Sequence, residues 1–290
     1  MRLSRRIWAL LAMLLCAPTM AADEAACRQD SLRISIIPVK NMGRLINEYQ
    51  PLARVLSQGL GMPVRILHAS SYEAVVDALV SGGTDIARLG PASYLQAWQQ
   101  NPEIEAFATL TPAAGHFSSG GSYYHSLLVV RSDSKLSSVG SLRGRRVALG
   151  DPASTSGALI PRHVFPEVIA EPLSGYFSRL VYAGSHDRAL DALLNGRVDA
   201  VFVSSERADE YLTRELIEED TLQVLWRSAP IHYDPLVFSA NVCDYLKERI
   251  RNLVTAPTPA LDEFIQSQRS VAIVPVDHRA YEPLLPLVID

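Results

Sequence analysis

The stretch GDPASTSGALIP, residues 150–161, sets Ser154, Thr155 and Ser156 in succession where a helix can begin, with Gly157 directly after them. The first turn of a helix leaves backbone N–H groups unpaired and carries the positive end of the helix dipole. An oxyanion placed there collects N–H and O–H hydrogen bonds together, and Gly157 permits its close approach. Capping the helix needs only one hydroxyl, so three in a row favour a binding seat. A nucleotide phosphate loop would read G-x-x-x-x-G-K-[ST]. No such lysine follows, which argues against phosphoryl transfer.

Other residues join this one by type and position. His186, in AGSHDRAL, begins a helix with Ser185 as cap, and its imidazole is placed to donate to the same oxyanion. Tyr72, in SSYEAVVDAL, and Tyr94, in GPASYL, stand at or near helix starts in the first half of the chain and can reach across with a phenol. Glu206 and Asp234 are carboxylates near this seat. Beside a bound anion they repel it, so they make sense if the ligand also carries a cation such as an amine. A hydrolase would be built from Ser156, His186 and Asp187, but no G-x-S-x-G elbow is present. No His/Asp/Glu spacing reads as a metal site, and nothing calls for a cofactor.

These groups need elements to hold them. LRISIIP (32–38), PVRIL (63–67), DIARLG, GRRVALG and FSRLVYAG read as strands, and PLARVLSQGLG (51–61) reads as a helix with Pro51 in its first turn and Gly61 after its end. SYEAVVDALVSGG, PASYLQAWQQ, STSGALIPRHVF and SHDRALDALLNG supply further helices. The alternation predicts an α/β fold with mostly parallel sheets. One unit occurs twice: DALVSGGTDIARLGPASYL (77–95) is echoed by DALLNGRVDAVFVSSERAD (191–209), with Asp85 matching Asp199. A single echo is too short for a solenoid and fits two lobes of similar build. In such sheets ligands bind beyond the carboxyl ends of the strands, where GPASY, DPASTSG, AGSHD and VSSE lie.

Composition bounds the rest. The chain has 290 residues, 48% of them hydrophobic and 20% charged, enough for two cores. Its first 22 residues, with Arg2, Arg5 and Arg6, an apolar run from Ile7 to Cys16 and small residues ending at Ala21 and Ala22, have the order of a secretory signal peptide. Cleavage there leaves 24 basic residues against 31 acidic, a net charge of −7, and gives no basic patch for nucleic acid. It also leaves two cysteines, Cys27 and Cys243, which an oxidising compartment allows to pair.

Together, YEAVVDAL…DIARLGPASY, YYHSLLVVRSDS, SLRGRRVALGDPASTSGALIPR, AGSHDRALDALLNGRVDA and DPLVFSA resemble the periplasmic phosphonate/phosphite/phosphate-binding proteins of ABC importers, over about residues 31 to 255. The resemblance implies the type II periplasmic-binding-protein fold, two α/β lobes joined by two crossovers at Tyr124–Arg131 and Pro230–Ala240 and closing on the ligand. Lobe 1 would comprise 23–123 with the return segment 235–290, and lobe 2 residues 124–234. By the same resemblance, Ser154, Thr155, Ser156, His186, Tyr72 and Tyr94 hold the oxyanion, and Glu206 and Asp234 take the ammonium of a ligand such as 2-aminoethylphosphonate. Tyr233 departs from the asparagine usual before that aspartate. The expected partner is an ABC permease. The alternative is a membrane kinase to which the protein would present its oxyanion as a sensor.

Overall fold

The computed structural model describes Cys27 and residues 29–289; the expected signal peptide, residues 1–22, lies outside the described residues. The chain opens with β1 (Leu32–Ile36), α1 (Met42–Leu60), β2 (Val64–Leu67), α2 (Tyr72–Val80), β3 (Ile86–Arg88), α3 (Pro91–Gln100) and β4 (Glu105–Pro112). It continues through β5 (Tyr123–Tyr124), β6 (Ser126–Arg131) and β7 (Arg146–Leu149) into a π-helical turn, Thr155–Leu159. That turn leads into α4 (Ile160–His163), α5 (Phe165–Ile169), α6 (Leu173–Tyr176), β8 (Arg179–Tyr182) and α7 (His186–Leu194). After β9 (Ala200–Ser204), α8 (Ser205–Thr213) and β10 (Leu222–Arg227), the chain returns through β11 (Ile231–His232) and β12 (Pro235–Phe238). It ends with α9 (Asp244–Thr255), α10 (Pro259–Ser267) and β13 (Ser270–Pro275).

One helix is longer than the sequence suggested. Proline usually ends a helix because it lacks an N–H and clashes with the preceding turn. Here α1 starts at an Asn41 cap and runs through Pro51 to a left-handed Gly61. Leu45, Tyr49, Leu52, Leu56 and Leu60 make one buried stripe along both halves, and that packing holds the helix together across the proline.

Two sheets form two lobes. The first has the order β13-β4-β12-β3-β1-β2 and the second β10-β6-β9-β7-β8. β1 pairs in parallel with β2 and β3, as β7 does with β8 and β9. The strands just past each crossing run the other way: β12 is antiparallel to β3 and β4, and β6 to β9 and β10. Between the sheets the two passing segments pair with each other as the β5–β11 ribbon. In β6 the side chains alternate between two cores, Leu127 and Val129 on one face and Leu128 and Val130 on the other, so the second sheet is covered on both sides.

The repeated aspartates do the same work in each lobe. Asp85 accepts from the Arg33 backbone N–H (2.7 Å) and from its Nε (3.0 Å) and Nη2 (2.7 Å), while Nη2 also donates to the Gly82 carbonyl (2.8 Å). Asp199 takes the same three bonds from Arg146 (2.8, 3.0 and 2.8 Å), whose Nη2 donates to Gly196 (3.2 Å). Gly82 and Gly196 both adopt positive φ, +73° and +67°, a conformation that glycine takes at little cost. Each clasp ties the start of one strand to the turn before its neighbour.

Cys27 and Cys243 are disulfide-bonded, with Cα atoms 5.9 Å apart and 216 residues between them in sequence. The bridge closes nearly the whole protein into one loop, which in the chain-entropy model contributes about 5 kcal/mol. Replacing both cysteines with serine is expected to lower the free energy of urea unfolding by up to about 5 kcal/mol. Ligand affinity should not change, because neither cysteine approaches the strand ends that form the cleft.

Candidate functional site

The carboxyl ends of β1, β3, β7 and β9 face one another across a cavity lined by both lobes. Its free volume, counted at the centres of water molecules, is about 40 Å³, room for roughly three waters. Tyr72, Ser154, Thr155, Ser156, His186, Glu206 and Asp234, all candidates from the sequence, line it. So does the start of α3 at Gly90, while the start of α8 brings Glu206 and Arg207. The walls are therefore largely helix beginnings, whose N–H groups and dipoles favour an anion.

The three residues have separate partners. Ser154 Oγ accepts from Gly157 N–H (3.1 Å) and lies 3.3 Å from His186 Nε2. Thr155 Oγ1 accepts from Ala92 N–H at 2.9 Å, capping across the cleft a helix whose own cap, Gly90, offers no side chain. Ser156 receives the Ser126 hydroxyl on its carbonyl (2.6 Å) and lines the cavity. Gly157 is required by contact: a Cβ there would stand 2.9 Å from His186 Cε1 and 3.2 Å from Gly150 Cα.

His186 is buried, and burial first, then the nearby Arg207 charge, pushes its pKa down to about 3. It is a neutral imidazole at physiological pH, able to donate from one nitrogen. Its Nδ1 has no partner among the described residues. Asp187 instead approaches Arg207 Nη2 at 3.0 Å, and the serine beside His186 Nε2 is Ser154 rather than Ser156. The relay a hydrolase would need is not assembled.

The two tyrosines part company. Tyr72, the first residue of α2, is buried in the cavity wall, and its N–H reaches Asp151 of the opposite lobe at 3.4 Å. Tyr94 does not reach the cavity, which corrects its expected place there. It sits a full turn into α3, where its ring packs edge-on against Tyr281 (centroids 5.2 Å) and its hydroxyl bonds His278 Nδ1 at 2.9 Å. Proximity to a helix start did not fix the direction of its side chain.

The cavity also holds charges that the sequence did not flag. Arg88, the last residue of β3, is buried, with Nη2 3.1 Å from Asp234 Oδ2 and 3.1 Å from the Tyr233 hydroxyl. Lys40 lies between Glu48 of its own lobe (2.7 Å) and Glu210 of the other (3.1 Å). Arg207 pairs with Glu210 and Asp187. These partners lie up to 170 residues apart, so no local pattern could disclose them. These three cations are matched within the chain, while Arg269, which also lines the cavity, has no ion pair among the described residues. Burial raises Asp234 against the opposing pull of Arg88. Burial, then repulsion from Asp234, raises Glu206 from 4.5 to about 7.

Two lobes meeting over a cavity that presents a hydroxyl turn and several helix beginnings define a periplasmic-type solute-binding protein. The family described as the phosphonate periplasmic substrate-binding protein of ABC transporters matches residues 34–281, and the chain belongs to it. It is 26% identical over 273 residues to the phosphate-import protein PhnD of Mycolicibacterium smegmatis, covering 87% of this chain and 83% of that protein. It is 29% identical over 228 residues to the phosphonates-binding periplasmic protein of Escherichia coli K12, covering 77% of this chain and 65% of that one. The binding component of an ABC phosphonate transporter from Pseudomonas aeruginosa shares the fold, with a TM-score of 0.80 at 24% identity over 89% of this chain and 85% of that one.

The raised Glu206 pKa has a stability consequence with a definite sign. Below the ordinary value of 4.5 the side chain is protonated in both folded and unfolded states and costs nothing. As pH climbs from 4.5 through about 7 the unfolded chain ionises first, and folding stability falls. Across that window the wild type is expected to lose about 3 kcal/mol relative to Glu206→Gln. Urea unfolding of the ligand-free proteins at a series of pH values checks it, and parallel curves would refute it.

Proposed function

We propose that the protein captures a small tetrahedral phosphorus oxyanion (phosphate, phosphite or a phosphonate) in the periplasm and delivers it to an ABC permease. One observation carries the reading: the Ser154–Ser156 turn, neutral His186 and Tyr72 share one cavity in which Lys40, Arg88 and Arg207 are already matched by carboxylates. The hydroxyl turn grips by hydrogen bonding. The names of the Mycolicibacterium and Escherichia relatives, one for phosphate import and one for phosphonates, support the same ligand class. Glu206 and Asp234 are the groups that would receive an ammonium if the ligand were 2-aminoethylphosphonate.

The lobes, 23–123 with 235–290 against 124–234, act as the jaws. A ligand that touches both favours the closed arrangement, because only there does it gain all its bonds. Bonds crossing the cleft hold that arrangement in register: Thr155 with Ala92, Ser93 Oγ with the Ala153 carbonyl (3.0 Å), and Lys40 with Glu210.

Calorimetric titration with phosphate and methylphosphonate tests the assignment. Ser156→Ala and Tyr72→Phe are each expected to weaken binding at least tenfold, because a buried oxygen of the ligand loses a donor. Tyr94→Phe, outside the cavity, is expected to change affinity less than twofold. Unchanged affinity in the first two variants would remove them from the site.

A further inference from the structure

Resting on that reading of the site, we propose that Arg88 determines specificity: its guanidinium fills the place where a ligand's ammonium would otherwise sit, so the protein selects a phosphorus oxyanion without an amine.

The argument starts from Glu206 and Asp234, two carboxylates in the wall of one small cavity. Buried carboxylates need a cation or a proton. A ligand bearing an ammonium would supply the cation, but the chain supplies its own. Arg88 Nη2 stands 3.1 Å from Asp234 Oδ2, and the guanidinium lies over the Tyr233 ring, 5.4 Å from its centroid. Tyr233 also holds it through its hydroxyl, 3.1 Å from Nη2. The charged and titratable groups around Arg88 are Tyr49, Tyr233, Asp234 and Glu206. Burial opposes the guanidinium's charge, and these neighbours outweigh it. Arg88 also lines the cavity, and its Nε is buried without a partner among the described residues.

An ammonium entering here would meet a fixed cation at close range in a buried site, with Asp234 already paired. Arginine remains charged at any accessible pH, so the guanidinium's own titration does not relieve this repulsion.

The test is calorimetry on the exported, disulfide-bonded chain with phosphate, phosphite, methylphosphonate and 2-aminoethylphosphonate, sulfate serving as control. The wild type is expected to bind methylphosphonate at least tenfold more tightly than 2-aminoethylphosphonate. Arg88→Met should shift that ratio at least tenfold toward the aminoalkyl compound, and Arg88→Lys, which keeps the charge, should preserve the wild-type order. The wild-type comparison stands by itself should Arg88→Met fail to fold through its unpaired Asp234. Equal or tighter binding of 2-aminoethylphosphonate by the wild type overturns the proposal, as does an Arg88→Met variant that loses every ligand alike. A wild type that discriminates in neither direction but binds phosphate leaves the oxyanion site standing and sinks only the role of Arg88. One that binds none of the phosphorus compounds sinks both.

Discussion

The structure depends on keeping charge balanced among side chains buried in the cleft between the lobes. An unpaired ion in such a place is costly, and the cavity wall contains Lys40, Arg88, Arg207, Glu210 and Asp234. Each finds its counterion in the chain. Buried pairs of this kind contribute little net stability against an apolar alternative, but removing one partner is expensive. Lys40 makes the point: it is compensated by Glu48 on its own lobe and by Glu210 on the other. The balance is therefore complete only when the lobes are together. At the hydroxyl turn the groups that face a ligand are uncharged donors, and these reward a correctly shaped oxyanion.

Two lobes can meet this accurately because each is braced in the same way. The Arg33–Asp85 and Arg146–Asp199 clasps lie at equivalent points of the two sheets, each with a positive-φ glycine receiving the same guanidinium. They sit at the strand starts, remote from the cavity, and leave the strand ends free to turn into helices. The π-helical turn at Thr155–Leu159 shows what that freedom is used for. Gly157 lets the backbone pack against the His186 ring, and Thr155 is positioned to cap α3 from across the cleft. Local irregularity here joins one lobe to the other.

Much of this was legible in the amino-acid order. The duplicated Asp-Ala-Leu…Gly…Asp unit announces two similar lobes, and the Ser154–Thr155–Ser156 run announces a helix beginning with more hydroxyls than a cap requires. His186 and Tyr72 follow from their places at other helix starts. Tyr94 was misread because a position near a helix start says nothing about azimuth: one turn into α3, its side chain belongs to the contact with Tyr281 and His278. Arg88 was missed because a lone arginine in the run DIARLG gives no sign that it is buried, and its partner lies 146 residues further along the chain. The long α1 was missed because Pro51 is a strong local stop signal that a continuous buried stripe overrides. Local signals reported local structure; pairings across the cleft were invisible to them.

Burial acts in opposite directions on two titratable groups of the cavity wall. It drives His186 down to about 3 and Glu206 up to about 7, and each shift favours the neutral form. Glu206 Oε2 is buried without a partner among the described residues. Ionised, it would repel a bound oxyanion; protonated, it becomes one more O–H donor beside Ser204 and Tyr233. With Arg88 cancelling Asp234, the protonated site carries no net charge among these three groups, and a second cation would unbalance it. Desolvation thus sets the chemistry of the whole cavity: it demands pairing from groups that must stay charged, and turns those that need not into neutral partners for the ligand.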